Sequence, residues 1–364
     1  MPELPEVESV RAGLARHVVG RTVTAVEVLD PRPLRRQEGG AEAFVQGLTG
    51  RVLTAAVRRG KLMWLPLDDG TALSSHLGMS GQLLVRGTTP VGGPQPGDDP
   101  SRYLAAPGEA PADLTATRAP SLVRDLSVRP RHLRVRLHLS AREGGPGPRA
   151  AGAGPAPEAV SAGGAVGMGG AALDLVDQRM LGGLHLVRLV PTADGGPGGL
   201  GSAQALLPED ATHIARDLLD PHLDRAAVVE RVRASSRAVK TLLMDQSVVS
   251  GVGNIYADEG LWAARVHGLR RGSALGPRVL ARLLEATAEV MRRALAAGGT
   301  SFDALYVDAE GAAGFFARSL AAYGRQGRPC RRCETPLRTE VVGGRSHTSC
   351  PRCQTRPRTR RRPA

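Results

Sequence analysis

Residues 330–353 read CRRCETPLRTEVVGGRSHTSCPRC, two Cys-x2-Cys knuckles 16 residues apart. Thiolates at that spacing can close a tetrahedron around one zinc ion, with Cys330, Cys333, Cys350 and Cys353 as ligands. No position is left for a catalytic water, so the ion is structural. Pro336–Val342 and Gly343-Gly344-Arg345 predict a β-hairpin between the knuckles, turning at the glycines. Zinc binding on the order of 10–16 kcal/mol can hold together a segment with little core. The chain has 4 cysteines, all in this segment, which fits a metal site in a reducing compartment better than disulfides. Arg331, Arg332, Arg338, Arg345 and Arg352 make the segment basic and suited to phosphate contact.

The whole chain shares that charge. Lys and Arg outnumber Asp and Glu by 48 to 35 in 364 residues, a net charge of +13. Such an excess points to a polyanion, most simply DNA or RNA. Hydrophobic residues reach 41% and aromatics only 3%, so the core must rest on Leu, Val and Ala. The length allows two domains. No apolar run approaches the roughly 18 residues of a membrane span. The acidic, proline-punctuated N-terminus is the opposite of a signal peptide, so a cytoplasmic protein is expected.

Upstream of the cysteines, residues 205–300 read as helical. Leu280, Leu283, Leu284, Thr287, Val290, Met291 and Leu295 form one helix face, started near Pro277 and ended by Gly298-Gly299. Two more helices flank Gly251-Val252-Gly253-Asn254. The first half reads as strands: Thr22–Leu29, Arg51–Arg58, Lys61–Leu67, Thr71–Leu77, Leu133–Leu139, Leu173–Asp177 and Leu184–Leu189. Short strands at this spacing predict a sandwich or barrel. A helix over residues 5–18 precedes them, with Val7, Val10, Leu14 and Val18 on one face. Residues 87–113 and 144–170 are too rich in Gly and Pro to bury a core and read as disordered. Gly195–Gly201 reads as a shorter linker of the same kind between two domains.

Two local features have competing readings. The glycines of Gly251-Val252-Gly253-Asn254 let backbone N–H groups approach an anion at a helix N-terminus, or they simply make a tight turn. Removal of Met1 would expose Pro2 as a secondary amine. An α-amino group has a pKa of roughly 8 against about 10.4 for lysine, so more of it is free to attack an electrophilic sugar carbon. Glu3 and Glu6 are close enough to move protons, or they merely favour the helix dipole.

Met1–Glu8 (MPELPEVE), Arg59-Gly60-Lys61, His76–Gly81 (HLGMSG), Asp177-Gln178-Arg179, Lys240, Gly251–Asp258 (GVGNIYAD), Gly298-Gly299-Thr300, Tyr323-Gly324-Arg325 and the four-cysteine finger with Arg345 occur in this order. Together they resemble the formamidopyrimidine-DNA glycosylases, bacterial base-excision enzymes that also cleave abasic sites. The resemblance implies a multidomain α+β fold. A β-sandwich catalytic domain flanked by helices would span 1–192, with insertions near 87–130 and 143–171. A linker at 193–205 would lead to a helix-two-turns-helix domain at 206–300. A lesion-recognition loop region at 301–321, the zinc finger at 322–354 and a basic tail at 355–364 would follow. Damaged double-stranded DNA would lie between the halves, bound by a monomer associated with the nucleoid when acting.

The resemblance also implies roles. Pro2 attacks C1′ and forms an imine, Glu3 moves protons at the sugar, and Lys61 assists β-elimination. Arg345 grips phosphate and serves δ-elimination, by electrostatic stabilisation since arginine holds its proton too tightly to donate it. Asn254, Lys240, His76, His132, Tyr256 and Arg325 would contact DNA. Met79 and Arg179 would fill the gap left by the flipped base. Two positions depart from the pattern. Leu181 stands where the family usually has a wedge Phe; it can wedge but not stack. Ser235 stands where a basic contact is common. The competing readings are an endonuclease VIII-like enzyme for oxidised pyrimidines, a non-catalytic damaged-DNA-binding zinc protein, and a basic zinc-ribbon RNA-binding module. Leu4, where the pyrimidine enzyme typically has Gly, favours the purine enzyme, as do Arg179 and the Gly298–Tyr323 segment. Intact Pro2, Glu3, Lys61 and Arg345 argue against a non-catalytic protein.

Overall fold

The computed structural model describes residues 2–87, 131–141, 171–297 and 319–358. The insertions near 87–130 and 143–171, the Gly298-Gly299 helix end, most of the loop at 301–321 and the end of the basic tail lie outside them.

Helix α1 (Leu4–His17) opens the chain, with Pro5 in its first turn, where a missing N–H costs nothing. Strand β1 (Val23–Val28), helix α2 (Gly40–Leu48), β2 (Val57–Arg59), β3 (Leu62–Pro66), β4 (Thr71–His76), β5 (Gly81–Gly87), β6 (Leu133–Leu139), β7 (Ala171–Asp177), β8 (Gly183–Pro191) and β9 (Leu206–Pro208) follow. They build two antiparallel sheets, ordered β1-β6-β7-β5 and β2-β3-β4-β8-β9. The core between them joins Leu83, Val135, Leu137, Leu173 and Leu175 to Met63, Leu65 and Leu73. The alternation read in β6 therefore marks the buried face correctly.

The strand expected over Arg51–Arg58 shortens to β2. Val52 bridges Thr22 beside β1, while Leu53 bridges Leu67 beyond β3. The chain crosses between sheets there, so no ladder can continue.

Gly195–Gly201 is not a free linker. Arg58 and Leu200 exchange backbone hydrogen bonds. A Cβ on Gly198 would lie 1.8 Å from the Leu206 carbonyl oxygen, and one on Gly199 2.3 Å from that of Arg58. Glycine is used here for close approach of two backbones. The chain then adds β9 to the five-stranded sheet.

The helical half comprises α3 (Arg225–Arg233), α4 (Val239–Leu243), α5 (Asn254–Ala263) and α6 (Pro277–Ala296). The expected stripe on α6 is buried from Leu280 to Met291. Leu4 packs into this helical core, whereas Val7, Val10 and Leu14 pack into the sandwich. One short helix thus bolts the halves together.

A buried ion cluster reinforces the bolt. Arg58 donates to Glu8 of α1 at 2.8 Å and to Asp217 of the helical half at 2.7 Å. Asp217 also accepts the Gly60 N–H at 3.1 Å, pinning the turn before Lys61. Removing one member leaves buried charge unpaired. Arg58→Met is therefore expected to cost roughly 3–5 kcal/mol, measured by urea unfolding; a loss within experimental error would contradict this.

Hairpin strands β10 (Arg338–Val342) and β11 (Arg345–Ser349) close at the Val342–Arg345 pair. Gly343 and Gly344 both have positive φ, 58° and 75°, as a two-residue hairpin turn requires.

Candidate active site and its metal centre

Helix α5 organises the site along its length. At its C-terminal end, Arg332 stacks 3.8 Å over the Trp262 ring and donates to the Trp262 and Ala263 carbonyls. Trp262 Nε1 donates to Cys330 Sγ at 3.4 Å. The four cysteine sulfurs lie within 4.8 Å of one another. Tetrahedral zinc–thiolate bonds of about 2.3 Å put sulfurs about 3.8 Å apart, so the cage fits the ion. The Trp262 N–H and the Cys353 N–H, which reaches Cys350 Sγ at 3.4 Å, can stabilise thiolate charge. These residues are the ligands of one structural zinc ion.

The middle of α5 grips the hairpin. Asp258 accepts from Lys240 Nζ and from His347 Nδ1, both at 2.7 Å, and from the Thr348 N–H at 2.9 Å. His347 Nε2 accepts the Gly268 N–H at 3.1 Å, so its proton resides on Nδ1. Lys240 also donates to the Ser346 carbonyl. Lys240, Asp258 and His347 are wholly buried. Packing the hairpin on α5 encloses Lys240, and its ammonium holds Arg345's neighbour in place. Asp258→Asn is expected to cost about 3–5 kcal/mol and to raise amide exchange over Ser346–Ser349. Unchanged protection there would contradict this role.

The N-terminal end of α5 meets Glu3. The Glu3 carboxylate accepts N–H groups of Gly253, Ile255 and Tyr256 at 2.7, 2.9 and 3.3 Å. A Cβ on Gly253 would stand 2.3 Å from Glu3 Cδ, and one on Gly251 2.6 Å from a Leu4 methyl. Both readings of the glycine turn meet here. It is tight, with Gly251 at φ +86°, and it does cradle an anion, which is the protein's own Glu3. Burial pushes the Glu3 carboxyl above its ordinary pKa, and Glu6 adds to this against the opposing pull of Lys61 and the backbone N–H groups. Glu6 accepts the Glu3 N–H at 2.9 Å and the Tyr256 hydroxyl at 2.9 Å. Tyr256 is fully buried. The carboxylate of Glu6 draws its hydroxyl inward, away from the surface.

Lys61 Nζ donates to the Val252 carbonyl at 2.9 Å. Burial lowers its pKa; Glu3 and Glu6 oppose this, while Arg345 adds to it. Asn254 Nδ2 donates to Ser346 Oγ at 3.0 Å, and Asn254 Oδ1 is buried without a partner. Pro2 is buried beside Glu3 and Arg345 is exposed at the hairpin turn.

Two loops present the gap-filling candidates. Asp177 accepts from Ser80 Oγ at 2.6 Å, the Arg179 N–H at 3.1 Å and the Gly182 N–H at 2.7 Å. This ties the loop of Met79 to the loop of Arg179 and Leu181. Met79 and Leu181 are 44% and 43% exposed, so the tied loops present both apolar side chains to solvent. His76 Nδ1 accepts the Gly78 N–H at 3.2 Å within the first loop. His132, at φ +69°, hands its carbonyl to the Asp177 N–H.

Two further candidates have local partners. Arg325 donates to the Ala321 and Pro329 carbonyls, and Ser235 Oγ accepts the Arg237 N–H. Asp177, Asp258, His347 and Glu259 were not singled out from sequence. Glu259 accepts N–H groups of Ala321, Ala322 and Tyr323. The available signal for Asp177, Asp258 and His347 is their place inside the quoted motifs, whereas Glu259 lies one residue beyond Gly251–Asp258.

Comparison with known proteins agrees with this architecture. Residues 1–146 match the formamidopyrimidine-DNA glycosylase N-terminal domain, 214–305 its H2TH domain, and 327–356 the zinc finger found in FPG and IleRS. The chain is 45% identical over 361 residues to a formamidopyrimidine-DNA glycosylase of a Nocardioides species, covering 99% of this chain and 97% of the relative. It is 44% identical to that of Mycolicibacterium smegmatis, covering 99% and 100%. A solved structure of MutM in complex with carbocyclic 8-oxo-G containing DNA superposes with a TM-score of 0.66 at 24% identity, covering 98% and 100%. A Lactococcus lactis FPG mutant in complex with a Fapy-dG containing DNA gives the same TM-score, identity and coverage. These two likenesses establish the fold.

Proposed function

Because the chain belongs to the formamidopyrimidine-DNA glycosylase family, we propose that it removes oxidised purines, 8-oxoguanine and formamidopyrimidines, from double-stranded DNA and cleaves the abasic site that results. It acts as a monomer in the bacterial cytoplasm. Among the described residues, no helix is long and apolar enough to cross a membrane.

One observation carries the reading: Pro2 and Glu3 sit at the N-terminus of α5, with Lys61 beside them and the Arg345 hairpin anchored on the same helix. With Met1 removed, the Pro2 nitrogen attacks C1′, the glycosidic bonding pair leaves with the base, and the amine N–H proton is released, which frees the nitrogen lone pair to open the C1′–O4′ bond. Glu3, whose carboxyl burial favours the protonated form, donates to the ring oxygen as the sugar opens to an iminium. Loss of the C2′ proton then breaks the C3′–O3′ bond, and loss of the C4′ proton breaks the C5′–O5′ bond. Lys61 serves the first elimination and Arg345 stabilises phosphate charge in the second. Zinc supplies only the fold of the hairpin. The flipped base costs a few kcal/mol, less when damaged, and Met79, Arg179 and Leu181 fill its place.

The test is base release from two duplexes, one with 8-oxoguanine opposite cytosine and one with thymine glycol. Faster release of 8-oxoguanine is expected; preference for thymine glycol would overturn the purine assignment. Leu181→Phe is expected to speed lesion location, because an aromatic wedge stacks where leucine cannot. Single-molecule search times that do not change would contradict that explanation.

A further inference from the structure

The outer face of the five-stranded sheet holds a cavity of about 330 Å3 beside this cluster. Ser74 and Leu62 lie on its floor, and the strand register sets Ser74 opposite His185. Pro33, Arg35 and Arg36 form one wall, and Asp210, His213 and Ile214 the other. Lys61 and Gln246 close one end, and both donate to the Val252 carbonyl. The cavity therefore opens onto the catalytic turn itself.

Its lining is cationic. Asp210 is its only acid and is matched by His185 at 3.0 Å. Arg35 is oriented by the Gly182 and Leu181 carbonyls, at 2.9 and 3.1 Å. Arg36 has no hydrogen-bond partner among the described residues. Burial holds His76 below its ordinary pKa, and the charges of Arg36, Arg35 and Lys61 add to this. Ser74 Oγ is wholly buried on the floor with no hydrogen-bond partner. A cavity with surplus positive charge and an unused hydroxyl suits a compact dianion.

We propose that this cavity binds the 5′-terminal phosphate of the downstream strand released by β-elimination. The inference rests on the lyase reading above. When the C3′–O3′ bond breaks, its electron pair leaves with O3′, which becomes a terminal phosphate oxygen. A diester with one negative charge becomes a monoester whose second pKa is about 6, so it approaches two. That charge appears beside Lys61, on the shared wall. The cavity thus distinguishes product from substrate and retains the new 5′ end after cleavage.

The test uses one-nucleotide-gapped duplexes with a 3′-phosphate and either a 5′-phosphate or a 5′-hydroxyl, titrated at fixed ionic strength. The 5′-phosphate duplex is expected to bind roughly tenfold tighter, the scale of one charge-assisted hydrogen bond. Arg36→Ala should abolish the preference and Ser74→Ala should reduce it, while inorganic phosphate should compete with it. Equal affinity for the two ends, or a preference that survives Arg36→Ala, overturns the proposal. If inorganic phosphate binds but the two ends do not differ, the cavity is a free-phosphate site and the DNA-end assignment is wrong. The titration needs no turnover, so a failure of the lyase reading would show separately, as intact strands in the cleavage assay.

Discussion

Glu3→Gln is expected to lower base excision roughly a hundred- to ten-thousandfold, the usual worth of a positioned proton donor. The substitution keeps the side chain's shape but removes both the proton and one acceptor oxygen. Three backbone N–H groups at the start of α5 now rely on that carboxylate. An amide nitrogen facing one of them leaves a buried donor unsatisfied, at about 1–3 kcal/mol. Single-turnover kinetics and thermal melting separate the two effects. The chemical loss should persist far below the melting transition, and duplex affinity should change little because Glu3 is buried. Excision at the wild-type rate would remove Glu3 from the mechanism.

Removing zinc carries the second large effect. The segment from Cys330 to Cys353 has a small core of Leu337 and the cysteines. Without the roughly 10–16 kcal/mol of metal binding, the hairpin is expected to unfold. Arg345 then loses its position, Lys240 loses the Ser346 carbonyl, and Asp258 loses His347. Chelation or Cys333→Ser should therefore abolish DNA binding and strand cleavage. Amide protection should remain in β6 and β7, whose core is independent of the finger, and vanish over 338–349. Normal cleavage by zinc-free protein would contradict this division.

What could be read from sequence was local. The knuckle spacing, the glycine turn of the hairpin, the stripe on α6 and the alternation of β6 depend on neighbours within a few residues. Tertiary duties were not legible. Nothing near Glu3 in sequence announces that its carboxylate caps a helix beginning at Asn254. Lys240 and Tyr256 sit in motifs that resemble DNA contacts, yet the partners that bury them, Asp258 and Glu6, are chosen by packing. Gly195–Gly201 has the composition of a flexible linker. Its glycines answer instead to the backbones of Arg58 and Leu206, which no local pattern reveals. Strand β5 was missed because it directly precedes a Gly- and Pro-rich stretch and takes its register from β7, ninety residues on.

The central claim is that the Pro2 nitrogen forms the covalent bond to the sugar, held there by Glu3 at the end of α5. It is tested by borohydride reduction during reaction with a duplex carrying 8-oxoguanine opposite cytosine, followed by mass mapping of the adduct. The account predicts a trapped complex joined through Pro2 and absent from Pro2→Gly. No trapped complex, or one joined through Lys61 instead, would contradict it.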